Sequence, residues 1–134
     1  MNAVTTIFEA RKRRYEQARA VMAAYPWTGD EPILEIECAC VLQDHALRTT
    51  PALTVHDAAY KIDLVLWEYE PHTAFVEALK CVQASLLAGD TITAARAFNQ
   101  FQAQIGDTPL WCDRTWELVI ADDLVRFATQ RLSA

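Results

Sequence analysis

Residues 50 to 70 read TPALTVHDAAYKIDLVLWEYE, and this stretch decides the fold because it combines a helix start, a core stripe and an ordered outer row. Thr54 and Asp57 have the T-x-x-D spacing of a capping box, in which hydroxyl and carboxylate satisfy backbone N–H groups left open at a helix start. Val55, Ala59, Ile62, Leu66 and Tyr69 follow at helical intervals, and Leu64 and Val65 widen the apolar surface. A helix this apolar is central to its fold. Along its flank His56, Tyr60, Asp63 and Trp67, followed by Glu70, make a second row, the candidate recognition surface of the chain. Trp67 has two readings, a large side chain packed between helical layers or an exposed aromatic anchor of the kind enriched at protein interfaces.

Working outward, punctuation divides the 134 residues into about six helices. The first spans about Thr5 to Ala24, with Phe8, Arg11, Tyr15, Ala18, Met22 and Tyr25 three and four apart. A turn from Pro26 to Pro32 leads to a second helix capped by Asp30, with Ile33, Ile36, Cys40 and Leu47 buried and an end near Thr49 or Thr50 ahead of Pro51. After Pro71, Phe75, Leu79, Val82 and Leu86 form a fourth stripe that stops at Gly89. Asp90 or Thr91 starts a fifth, in which Ala94, Phe98, Phe101 and Ile105 run to Gly106. Thr108 and Pro109 are expected to open the last helix, with Trp116, Ile120, Leu124 and Phe127 inward and Trp111, Leu118 and Val125 on another side.

Short loops, helices of about 13 to 20 residues and the lack of an internal repeat favour an all-α, compact bundle of about six helices, a single domain over residues 1–134. Composition agrees: 52% hydrophobic with 22% charged is too apolar for disorder, and three glycines are too few for a sandwich of short strands. No apolar run approaches the roughly 18 residues of a membrane span, and no charged-then-apolar leader stands at the start. A cytoplasmic location and no membrane partner are expected.

The net charge of −6 is unevenly spread. Arg11, Lys12, Arg13, Arg14 and Arg19 against Glu9 and Glu16 leave residues 1–25 at +3, so the remainder carries −9. The basic cluster reads as the solvated face of an amphipathic helix rather than a phosphate contact, because it is short and no nucleic-acid motif stands beside it. The acidic remainder repels a phosphate backbone, so nucleic acid is not the expected partner.

Candidate chemistry is sparse. Cys38 and Cys40 project about 200° apart on a helix and cannot share a metal, while Cys81 and Cys112 are isolated. All four read as free, buried thiols, with no metal and no cofactor expected. Glu37, Cys40 and Asp44 share a helix face, but no Glu-x-x-His pair accompanies them, and His45 projects about 100° from Asp44. Ser85 and Ser133 lie in no nucleophile elbow, and Gly29, Gly89 and Gly106 are too far apart to cradle a phosphate. A Cys and His pairing assembled by the fold, with His45, His56 or His72, stays open.

The segment at residues 50–61 also resembles a pattern, T-P-A-x-T followed by a helix with a lysine seven to eight residues on, of small all-helical proteins of alphaproteobacterial chromosomes and prophages. Thr50, Pro51, Ala52, Thr54 and Lys61 match it, whereas the apolar run Leu64 to Trp67 departs from it. The resemblance implies a helical fold and a bacterial or mobile-element context, and nothing about chemistry. The expected function is a non-catalytic protein-interaction module, an accessory or inhibitor protein of a mobile element that binds another protein, with homo-oligomers open. The alternative is a small enzyme or ligand-binding bundle whose polar pocket draws His, Asp, Glu and Cys from several helices. A third idea, an acidic nucleic-acid mimic, requires the carboxylates to share one continuous face.

Overall fold

A computed structural model describes residues 5–26, 34–66, 73–106 and 114–133. Six helices account for most of them: α1 Ile7–Ala24, α2 Leu34–Arg48, α3 Val55–Leu66, α4 Thr73–Leu87, α5 Thr91–Ile105 and α6 Thr115–Ser133. The protein is all-α, with no strand among the described residues. Contacts divide the chain into two units, residues 1–50 and 51–134.

In the first unit α1 packs against α2. The α1 start is a capping box: the Glu9 N–H donates to Thr6 Oγ1 at 3.0 Å, and the Thr6 N–H donates to the Glu9 carboxylate at 3.3 Å. The T-x-x-E signal for it is present in the sequence, one residue beyond the expected start at Thr5. Phe8 and Tyr15 are buried as their spacing predicts, while Arg11, Ala18, Met22 and Tyr25 are half-buried. On α2, Leu47 is buried and Ile36 and Cys40 are half-buried. The helix ends at Arg48, before Pro51, where the ring disfavours a helical predecessor. Asp30, Pro32 and Ile33 lie outside the described residues.

In the second unit α3 meets α4, α4 meets α5, α5 meets α6, and α6 returns to α3. The cap expected for α3 is formed: the Asp57 N–H donates to Thr54 Oγ1 at 3.1 Å and the Thr54 N–H to Asp57 Oδ2 at 3.3 Å. Ala58, Ile62 and Val65 of α3 join Leu79, Val82 and Leu86 of α4, Ala94, Phe98, Phe101 and Ile105 of α5, and Trp116, Ile120, Leu124 and Phe127 of α6 in one core. Phe101 sits at its centre, its ring 6.2 Å from Phe75, 5.6 Å from Phe98 and 6.2 Å from Trp116. Offset and edge-on aromatic pairs of this kind add about 0.5–1.5 kcal/mol each beyond the area they bury.

The α4 to α5 turn closes as a Schellman motif. The Asp90 N–H donates to the Ser85 carbonyl at 2.9 Å and the Gly89 N–H to the Leu86 carbonyl at 3.0 Å. Gly89 takes φ +79°, which costs a side-chain-bearing residue strain and glycine little. Asp90 then caps α5 through the Thr93 N–H at 3.1 Å.

Two expectations are corrected. The last helix starts at Thr115, not at Thr108 and Pro109, since Arg114 is non-helical and bonds the Glu117 carboxylate and, at 2.8 Å, the Gly106 carbonyl. A side chain thus joins the end of α5 to the start of α6. Thr108, Pro109 and Trp111 lie outside the described residues. The described cysteines are not buried: Cys38 and Cys81 are exposed and Cys40 is half-buried, because Cys38 and Cys81 fall off the inward stripes. Cys112 lies outside the described residues.

Candidate functional site

The row on α3 is partly described. Six side chains of this helix, Ala58, Ala59, Lys61, Ile62, Leu64 and Val65, are buried. They fix the opposite side of the helix, on which His56 and Asp63 are exposed and Tyr60 is half-buried. Gln83 of α4 reaches across, its amide donating to Asp63 Oδ1 at 2.6 Å and to the Ala59 carbonyl at 3.0 Å. Asp63 is therefore held in one orientation at the surface. Trp67 and Glu70 lie outside the described residues.

A second polar centre, unforeseen in the sequence reading, lies inside the four-helix unit. Lys61 of α3 is 0% exposed and Asp123 of α6 is 1% exposed, and the Lys61 ammonium donates to Asp123 Oδ2. The other oxygen, Oδ1, accepts the Ala52 N–H at 3.0 Å and the Arg126 guanidinium at 2.9 Å. Arg126 also donates to the Ala52 carbonyl and lies over the Phe127 ring, 5.4 Å from its centre. One aspartate with one arginine thus grips both backbone groups of a single residue. Burial pulls the Lys61 pKa below its ordinary value, more than the hydrogen bond and charge of Asp123 restore, and the Arg126 charge pulls the same way.

The signal for this centre is present in the stripes themselves. Lys61 stands three after Ala58 and four before Val65, and Asp123 stands three after Ile120 and four before Phe127, so both charges occupy inward positions. Buried charges are paired almost without exception, which makes each a request for a partner.

In the first unit, Arg11 of α1 reaches the residues that follow α2. Arg11 donates to Thr50 Oγ1 at 2.6 Å, and that hydroxyl donates to the Ala46 carbonyl at 2.6 Å. Arg48, 5% exposed, forks onto both oxygens of Asp44. Burial first, then the Asp44 charge, raises the Tyr15 phenol and the Cys40 thiol, and the nearby Arg19 charge opposes both. The direction is opposite to that of an activated cysteine, whose thiol pKa is lowered. Of the basic cluster, Arg13, Arg14 and Arg19 are exposed, while Arg11 and Lys12 are half-buried. Glu37 and His45 are exposed and the carboxylate of Asp44 is committed to Arg48, so the Glu37, Cys40 and Asp44 ladder is not gathered into one site.

Among the described residues no three His, Cys, Asp or Glu side chains are placed to hold a metal ion. None of the described helices is long and apolar enough to cross a membrane. No protein-family model, curated protein or solved structure matches the chain.

Proposed function

We propose that the chain is a non-catalytic protein-interaction module, of the accessory or inhibitor kind a mobile element carries, which binds another protein through the outer row of α3. The observation that carries this reading is the fixation of Asp63 by Gln83, beside exposed His56 and half-buried Tyr60, on a helix whose other side is locked in the core. A polar group already held in its bound orientation loses little freedom on association, and an adjacent phenol ring supplies contact area with a polar tip. The rival reading, a pocket for small-molecule chemistry, requires His56, Asp63 or Glu70 to meet a cysteine or another histidine, and Glu70 lies outside the described residues. Asp63 instead meets the amide of Gln83, a contact that orients a carboxylate without activating it.

Affinity capture with the tagged protein, compared with the triple variant His56→Ala, Tyr60→Ala, Asp63→Ala, tests the proposal. The wild type should retain a protein partner that the variant loses, with unchanged circular dichroism and melting temperature. Retention of the same partner by the triple variant would remove the row as the binding surface.

A further inference from the structure

The grip on Ala52 has a feature that core packing does not require. The connector between α2 and α3 is anchored at two adjacent places, each in its own unit: Thr50 by Arg11 and Ala46, and Ala52 by Asp123 and Arg126. Pro51, between them, is exposed. Ala52 is fully buried, its methyl group among the apolar side chains of the four-helix core, and both its backbone groups are held by side chains rather than by a helix or strand ladder. Leu53 follows with 60% of its surface exposed and its N–H donated to Asp57 at 3.2 Å. One small side chain and three side-chain hydrogen bonds therefore hold the strap down, whereas α3 to α6 are held by their own backbone ladders and the whole core.

We propose that residues 51–53 form a latch, closed by Asp123 and Arg126 on Ala52, which opens as a unit while α3 to α6 stay folded. Lys61 fixes Asp123 from the far side and keeps its carboxylate aimed at the Ala52 N–H. Arg126 is the more accessible half, with its side chain 37% exposed, so it can leave Ala52 for water without stranding a buried charge. Local openings of this kind draw on the weakest-held segments, and amide exchange reads them residue by residue.

Arg126→Met tests the latch, because it removes the bond to the Ala52 carbonyl and the second cation on Asp123 while leaving the buried Lys61 and Asp123 pair intact. Hydrogen exchange on the full chain should accelerate at the Ala52 amide by tenfold or more, with Leu79 and Phe98 amides within twofold of wild type. Arg126→Gln, whose shorter neutral side chain also gives up the grip on the Ala52 carbonyl and spares the Lys61 and Asp123 pair, should give the same selective acceleration, and it carries the test if Arg126→Met fails to fold. A rise below tenfold at Ala52, or an equal rise at Leu79 and Phe98, overturns the proposal, since the strap would then open only when the core unfolds.

Discussion

Replacing Asp123 with alanine should be among the most damaging single changes in the four-helix unit. The carboxylate serves three partners at once: the fully buried Lys61 ammonium, the Ala52 N–H and the Arg126 guanidinium. Arg126 can turn to water, being about one-third exposed, and so costs little to release. Lys61 cannot, and an ammonium left buried without its counter-charge costs about 3–5 kcal/mol. Urea denaturation followed by circular dichroism should show a loss of that size for Asp123→Ala. Lys61→Met should be milder, about 1–3 kcal/mol, because Asp123 keeps the Ala52 N–H and Arg126. The double variant Lys61→Met, Asp123→Ala should recover about 2 kcal/mol relative to Asp123→Ala alone, since no stranded charge remains. A loss below about 1 kcal/mol for Asp123→Ala, or strictly additive losses in the double variant, would refute the buried pair as the source of the effect.

The remaining expectations follow from the same structure. Lys61 has a folded pKa below its unfolded value of 10.5, so between the two the unfolded chain holds the extra proton and stability should rise with pH; Lys61→Met should abolish that rise in urea melts. Tyr15 has the opposite sign: its folded pKa lies above 10.0, stability should fall as pH climbs past that value, and Tyr15→Phe should flatten the fall. Phe101→Ala should cost about 3–5 kcal/mol, whereas Leu118→Ala, at a side chain 70% exposed, should stay within about 0.5 kcal/mol in the same melts. Thr54→Ala removes the acceptor of the Asp57 N–H and should cost about 1 kcal/mol by thermal denaturation.

The helices and most of their inward stripes were legible because each rests on a local rule. In α3, however, the core takes Ala58, Ile62 and Val65, while Val55 and Leu66 are half-buried and Tyr69 lies outside the described residues. Phe98, Phe101 and Ile105 are buried because three- and four-residue spacing places side chains on one face, and Gly89 ends α4 because the Schellman turn needs a positive φ. The cysteines were misjudged by residue type instead of position. Cys81 directly precedes Val82 and so projects about 100° from the inward stripe, which is enough to expose it. The start of α6 was misjudged because a proline and a threonine make a plausible cap wherever they stand. At the start that forms, Arg114 bonds Glu117 locally and the Gly106 carbonyl across the turn, and the second contact forms only once the end of α5 stands beside the start of α6.

The polar centre was illegible for a different reason. Helical periodicity reports that Lys61 and Asp123 face inward, but it is blind to which inward charge meets which, because 62 residues separate them and the meeting depends on α6 returning to α3. Once formed, the pair constrains the fold more sharply than the apolar stripes do. Leu79, Val82, Leu86, Ile120 and Leu124 are similar in size and shape, and a slip of one helical turn, about 5.4 Å, would replace one aliphatic contact with another. The same slip of α6 along α3 would carry Asp123 away from Lys61 and from the Ala52 N–H together, leaving a buried ammonium, a buried carboxylate and a buried amide unsatisfied. The aliphatic positions thus supply most of the burial, the Lys61 and Asp123 pair selects one alignment of α6 against α3, and that alignment places Asp123 and Arg126 on Ala52.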